Sequence, residues 1–292
     1  MRGRLLQGIG GFYTALDDAG ERHILRAQRK LKRAHLKPKI GDFVELTPGV
    51  GEEEGWIEAI LPRRNELERP PVANIDRIVL VAAAAVPEAD LLLIDRMLIA
   101  ARRADIEPML VVTKSELNPE HAAQILRQYR GAGCPATAVS AQTGMGVAEL
   151  RTVLRGSVHA FAGQSGAGKS TLINALYGLS QETGELSARI DRGKNTTRRC
   201  ELIEVDGGGM VLDTPGFSLL ETELIDPTEL QTYWKEFEPY RGTCYFQPCM
   251  HASEPKCGVR AAIARDEIDA DRHARYVELL GEAQIKWRER YD

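Results

Sequence analysis

The stretch Gly163-Gln164-Ser165-Gly166-Ala167-Gly168-Lys169-Ser170 constrains the fold more tightly than any other part of the chain. It has the pattern G-x-x-x-x-G-K-S. An apolar, β-prone run (Val158 to Ala162) precedes it, and a segment of helical composition (Thr171 to Leu176) follows. The plain alternative is a glycine-rich turn that happens to precede a helix, but strand and helix are both in place. In such a loop the glycines let backbone N–H groups turn inward on a polyphosphate, and the helix N-terminus adds partial positive charge. Lys169 would reach the β- and γ-phosphates, Ser170 would offer its hydroxyl to Mg²⁺, and Thr171 would complete the contact set. The stretch predicts a nucleotide-binding strand, loop and helix.

At 292 residues the chain suits two or three domains. Its 43% hydrophobic and 27% charged residues describe an ordinary soluble globular protein. Met1 to Gln7 lacks the apolar core of a signal peptide, and the most apolar run, Ile78 to Val86, is too short to span a bilayer. These features predict a cytoplasmic protein without a membrane partner, and a monomer is expected. The net charge of −4 does not itself suggest a polyanion partner. The odd number of cysteines argues against a disulfide framework, and Cys134 and Cys200 read as small core residues.

Residues 1–69 read as a small β domain. Alternating runs at Gly11 to Leu16, Phe43 to Leu46 and Gly55 to Ile60 are separated by turn signals such as Asp17-Asp18-Ala19-Gly20. The spacing suits a five-stranded barrel of the oligonucleotide-binding type, although periodicity alone does not separate it from an SH3-like barrel. The run from Arg22 to Lys39 holds no acidic residue. Most such runs are solvated loops, but a basic face on a small barrel in an acidic chain favours nucleic acid. With few stacking candidates (Phe12, Tyr13, Phe43), phosphate contacts should outweigh base reading.

Residues 70–225 alternate strands and helices, the signature of a parallel sheet. Strands are expected over Ile75 to Val81, Pro108 to Val112, Ala136 to Val139, Val158 to Ala162 and Met210 to Asp213. Helices are expected over Leu91 to Ala104, Pro119 to Gly131 and Val147 to Leu154. Thr113-Lys114-Ser115-Glu116 follows one strand and resembles the N-K-x-D element of GTPases, in which a carboxylate takes the guanine N–H donors and a lysine stem covers the ring. Ser140-Ala141-Gln142-Thr143-Gly144 follows the next strand and resembles the S-A-x element, whose backbone N–H meets guanine O6. After the phosphate loop come Gly193-Lys194-Asn195-Thr196-Thr197-Arg198, offering a threonine to Mg²⁺, and Asp213-Thr214-Pro215-Gly216. In that D-x-x-G pattern Asp213 would hold the Mg²⁺ shell and the Gly216 N–H would meet the γ-phosphate. The base-reading elements precede the phosphate loop, so the fold is predicted to be circularly permuted.

In residues 226–292, Cys244, Cys249, His251 and Cys257 form C-x₄-C-x-H-x₅-C. Thiolates and an imidazole in this number favour a closed, structural Zn²⁺ site. Asp226 to Phe237 and Ala261 to Arg290 look helical, and the latter reads as a solvated or partner-facing helix.

Taken in order, these motifs behind a small barrel resemble the small-ribosomal-subunit biogenesis GTPases of the RsgA or YjeQ family. The likeness covers essentially the whole chain, including Arg69-Pro70-Pro71-Val72-Ala73-Asn74-Ile75-Asp76. It implies an α/β architecture with a barrel, a permuted P-loop GTPase domain and a helical zinc domain. It also implies conversion of GTP to GDP, stimulated by the small subunit and its rRNA. Three positions stand out. Thr113 and Glu116 replace the usual Asn and Asp, so support for the loop and guanine preference should weaken. Asn195 stands where histidine is common. Phe217 follows Gly216, where Ras-like enzymes have a glutamine, which implies slow hydrolysis without the partner. Lys169, Ser170, Thr197 (or Thr196), Asp213 and Gly216 form the expected catalytic set. The rival readings are a P-loop ATPase of similar layout and an RNA-binding switch with little turnover.

Overall fold

The computed structural model describes residues 1–51, 53–68, 70–179, 200–213 and 224–291. Arg69, the segment holding Asn195, Thr196 and Thr197, and the segment holding Thr214, Pro215, Gly216 and Phe217 lie outside the described residues.

The N-terminal strands are β1 (Arg2–Ile9), β2 (Phe12–Asp17), β3 (Arg22–Ala27), β4 (Phe43–Thr47) and β5 (Gly55–Ile60), with a short helix α1 (Arg29–Arg33) after β3. β1 pairs antiparallel with both β2 and β4, and β3 pairs parallel with β5, so the sheet closes on itself. This closure is that of the oligonucleotide-binding barrel and settles the choice that periodicity leaves open. Leu5, Ala15, Leu25, Val44, Leu46 and Ile57 fill it, as period-two alternation requires.

The basic run is a strand and a short helix as far as Arg33, and residues 34–39 form a loop. Part of its charge is matched from other segments: Arg22 pairs with Glu204, Arg26 with Glu54, and Lys30 with Glu58. Lys39 is buried and pairs with Glu66 and Glu68. Arg29, Arg33, His35 and Lys37 are exposed. Tyr13 packs inward against the barrel core. Trp56, which the composition of the run does not flag, is exposed in its place, and the register aligns Phe12, Arg26 and Trp56 across β2, β3 and β5.

A two-stranded ribbon, β6 (Glu66–Leu67) with β7 (Val72–Ala73), spans the junction. The next elements are β8 (Arg77–Ala83), α2 (Leu91–Arg103), β9 (Glu107–Thr113), α3 (Pro119–Gln128), β10 (Ala136–Ala138), α4 (Val147–Leu154), β11 (Val158–Ala162), α5 (Lys169–Tyr177), β12 (Glu201–Val205) and β13 (Gly209–Asp213). The strands run in the order β10-β9-β8-β11-β13-β12. All neighbours are parallel except β12, which is antiparallel to β13. β12, absent from the sequence expectations, touches β1 at Gln7 and Glu201 and so joins this sheet to the barrel. Leu6, Ile40, Val72 and Ile75 share one core with Ile78 and Leu80. Asn74, in the left-handed region at φ 56°, is buried between the two. Its side chain donates to the Gly41 carbonyl and accepts from the Arg64 N–H.

The C-terminal segment holds α6 (Pro227–Leu230), α7 (Gly258–Ile263) and α8 (Ala270–Arg288). The helix expected over Asp226 to Phe237 is one α-turn followed by 3₁₀ turns. The helix expected over Ala261 to Arg290 breaks at Asp266, which has φ 57°, and restarts with Asp269 as N-cap. Nor is α8 a solvated helix. Arg272 is 1% exposed and pairs with Asp95 of α2 and with Glu236, while Arg275 pairs with Asp95 at 2.6 Å. Tyr129 donates to the same Asp95 carboxylate at 2.7 Å. Burial alone would lower the Arg272 pKa, but Asp95 and Glu236 outweigh it and hold the guanidinium above its ordinary value.

Candidate nucleotide site and metal cluster

The phosphate loop follows β11, whose side chains are buried on both faces of the sheet. Gly163 must be glycine, because a Cβ there would lie 2.3 Å from the Val81 carbonyl oxygen. Gly168 adopts φ 91° as the N-cap of α5, so Lys169 and Ser170 open the helix at its positive end. The Lys169 ammonium donates to the Gly163 and Gln164 carbonyls at 2.6 and 2.7 Å. Partial burial lowers its pKa. Ser165, Ser170 and Thr171 are exposed at the loop surface, while Ala167 is buried beneath it.

Thr113, at the end of β9, lies directly against this loop. Its hydroxyl donates to the Ala167 carbonyl at 2.5 Å. Lys114, in the left-handed region at φ 55°, donates to the Gly166 carbonyl at 2.9 Å and the Val86 carbonyl at 2.6 Å. A non-glycine residue held there is strained, and the neighbouring contacts compensate for it. Thr113 thus keeps the loop-to-loop support that an amide would give, contrary to the expectation from its side chain. Ser115 and Glu116 carry buried oxygens, Ser115 Oγ and Glu116 Oε2, that find no hydrogen-bond partner among the described residues. A buried acceptor without a donor is costly, and a ligand bearing N–H groups would relieve it.

The Ser140 loop follows the point where Val139 meets Ser115. The Ser115 N–H donates to the Val139 carbonyl, and the Ser140 hydroxyl accepts from the Thr143 N–H at 3.0 Å. Ala141 follows, half-buried. The structure therefore brings together Thr113 to Glu116, Ser140, Ala141 and Gly163 to Thr171. Asp213 ends β13, the sheet neighbour of β11, so its backbone stands beside the strand that feeds the phosphate loop. The expected sites at Thr197 and Gly216 lie outside the described residues.

One partner of the site escapes sequence reasoning. The Gln164 side chain accepts from the Asp90 N–H at 2.6 Å and donates to the Glu88 carbonyl at 2.7 Å. Asp90 caps α2. Nothing in a 74-residue separation signals this contact.

In the C-terminal region the ligand atoms of Cys244, Cys249, His251 and Cys257 all lie within 4.8 Å of one another. His251 turns Nδ1 toward the Cys244 and Cys257 sulfurs, at 3.5 and 3.4 Å. Its Nε2–H donates to Gln231 at 2.8 Å, the outer contact that orients a ligating imidazole. Burial, with the adjoining thiols, pushes the Cys249 thiol up to about 12. Packed thiols of this kind are poorly matched to one another without a cation, and the donor set fits tetrahedral Zn²⁺. α8 supports the loop, with His273 Nε2 donating to the His251 carbonyl and the Tyr276 hydroxyl to the Met250 carbonyl.

Comparison with known proteins agrees with this geometry. Residues 60–223 match the family model described as RsgA GTPase. The chain belongs to the RsgA GTPase family. Small ribosomal subunit biogenesis GTPase RsgA of Caldanaerobacter subterraneus subsp. tengcongensis is 41% identical over 295 residues, covering 100% of this chain and 98% of that protein. The RsgA of Geobacillus kaustophilus is 40% identical, covering 96% of each. The crystal structure of YjeQ from Thermotoga maritima superposes with a TM-score of 0.82 at 35% identity, over 97% of this chain and 98% of that one. YloQ, a circularly permuted GTPase, superposes with a TM-score of 0.78 at 29% identity, over 98% and 95%. The order in this chain, with Thr113 to Glu116 and Ser140 to Gly144 ahead of the phosphate loop, is in keeping with its superposition on the circularly permuted YloQ.

Proposed function

We propose that this chain is a GTPase of small-ribosomal-subunit biogenesis that hydrolyses GTP to GDP and phosphate, with the small subunit and its rRNA as partner and stimulator. The observation that carries the reading is the contact of Thr113 and Lys114 with Ala167 and Gly166. Loops more than fifty residues apart in sequence meet there to seat base and phosphates together.

Lys169 and the amides of the phosphate loop bind and neutralise the phosphates. Glu116 and the Ala141 N–H read guanine, with Lys114 covering the ring. Adenine has neither the N1–H nor the 2-amino group that a carboxylate requires at that edge, which disfavours an ATPase. Ser170, Thr197 and Asp213 would hold Mg²⁺, which supplies charge neutralisation for the leaving phosphate. The Cys244, Cys249, His251 and Cys257 set would hold one structural Zn²⁺. Division into a barrel (1–69), a GTPase unit (70–225) and a zinc unit (226–292) fits these roles. On the barrel, Phe12, Arg26 and Trp56 offer a stacking row flanked by exposed cations, suited to RNA. The protein acts as a monomer in the cytoplasm, and no helix among the described residues is long and apolar enough to cross a membrane.

Phosphate release from GTP, with and without purified small subunits, tests the reading. Release should be slow alone and accelerate with subunits, and Lys169→Ala should abolish it. Turnover that ignores subunits, or that survives Lys169→Ala, would overturn it.

A further inference from the structure

Gln164, the first variable position of the phosphate loop, points its polar groups in two directions. Its main-chain carbonyl accepts from the Lys169 ammonium at 2.7 Å. Its side-chain amide holds both the Asp90 N–H and the Glu88 carbonyl, so the loop is fastened to the first turn of α2. A variable position in this motif needs no particular side chain to cradle phosphate, since the backbone does that. Here the donor and the acceptor of the side chain are both committed to the α2 junction.

α2 in turn has two working faces. Ile94, Met97, Leu98 and Ala101 lie in the core of the parallel sheet. Ile99 lies instead in the C-terminal core with Leu230 and Leu279. On that same side Arg96 makes two hydrogen bonds to the Glu282 carboxylate of α8, at 2.6 and 2.5 Å, and Asp95 takes Arg272 and Arg275. The helix is a stiff rod of roughly 20 Å. One end touches the phosphate loop and its flank carries the cysteine–histidine domain.

We propose that Gln164 is a positioning residue that couples nucleotide binding at the phosphate loop to docking of the C-terminal domain on α2, an inference that rests on the GTPase reading. A polyphosphate competes with the Gln164 carbonyl for the Lys169 ammonium. Binding therefore alters the same residue whose side chain fixes the start of α2. The coupling is reciprocal: loosening the domain from α2 weakens nucleotide binding, and nucleotide tightens the domain.

The test is a double-mutant cycle on GDP affinity, measured by calorimetry with the full-length, zinc-loaded protein. Arg96 sits at the rim of the α2–α8 contact, so Arg96→Ala loosens docking without emptying a core. Arg96→Ala should weaken GDP binding about fivefold or more when Gln164 is present, and less than about twofold in the Gln164→Ala background. Amide exchange over residues 270–288 provides the second readout. Saturating GDP should slow it in the wild type and leave it unchanged in Gln164→Ala. Gln164→Glu keeps the acceptor for Asp90 and loses the donor to Glu88, so it should fall between the two. Equal effects of Arg96→Ala in both backgrounds, no effect in either, or full protection of α8 in Gln164→Ala would overturn the coupling alone. A wild-type chain that fails to bind GDP would overturn the GTPase reading and the coupling with it.

Discussion

The Thr113 hydroxyl donates to the Ala167 carbonyl at 2.5 Å, tying the loop after β9 to the phosphate loop across 54 residues of chain. Both residues are buried, so the bond has no water to replace it. Thr113→Val keeps the shape and leaves that carbonyl without its donor, which should cost about 1–3 kcal/mol. Urea denaturation should report the loss, and GDP binding should weaken because both walls of the site loosen. Unchanged stability and affinity would show that the bond supports neither.

The buried Asp95–Arg272–Glu236 cluster should behave as a unit. Arg272→Ala strips Glu236 of its cation and leaves Asp95 with Arg275 and Tyr129 alone, and it should destabilise the protein by roughly 3–5 kcal/mol. Replacement of one buried charge is expected to be worse than replacement of the whole cluster by apolar residues of similar volume. Denaturant midpoints of the single and combined variants check this.

This cluster also marks where the sequence stops being legible. The phosphate loop, the segments Thr113 to Glu116 and Ser140 to Gly144, and the Cys–His cluster each carry particular residue types at fixed spacing, so they stand out in the sequence. The expected strand over Val158 to Ala162 and helix over Val147 to Leu154 match the observed bounds because both are short apolar segments with clear punctuation. Arg272 and Arg275 lie in a run of mixed charges that looks solvated, and only tertiary contact with Asp95 buries them. β3 is hidden by its own arginines, and β12 by the polar, charged composition around it. The loop support by Thr113 was hidden as well, because a hydroxyl can replace an amide only where the backbone approaches closely enough.

His159 gives the protein an acid sensitivity. Burial pulls its imidazole from an ordinary 6.5 down to about 4, and the neutral ring accepts from the Tyr177 hydroxyl at 2.7 Å. The unfolded chain takes up this proton at a higher pH than the folded one. Stability is therefore complete above 6.5 and falls as the pH drops toward 4, by on the order of 3 kcal/mol. Denaturation at about pH 7.5 and about pH 5 should show this fall, and His159→Phe should flatten it.

Removal of the metal should unfasten the C-terminal region. Chelation, or Cys257→Ser, should lower the melting temperature and speed amide exchange over α7 and α8, because the three cysteines pack in the same core as Trp234, Phe237 and Tyr276. Zinc content measured alongside should fall from one equivalent. A chain that purifies without zinc and keeps a cooperative C-terminal region would contradict the assignment.

The central claim is that a guanine nucleotide sits with its base at Glu116 and its phosphates at Lys169. Competition among GDP, xanthosine diphosphate and ADP, on the wild type and on Glu116→Gln, tests it most directly. The carboxylate suits the N1–H and 2-amino donors of guanine, whereas an amide can donate to the 2-oxo group of xanthine. The wild type should prefer GDP over both competitors. Glu116→Gln should bind GDP about tenfold or more weakly and gain affinity for xanthosine diphosphate. Equal binding of GDP and ADP by the wild type, or GDP affinity unchanged in Glu116→Gln, would contradict the site.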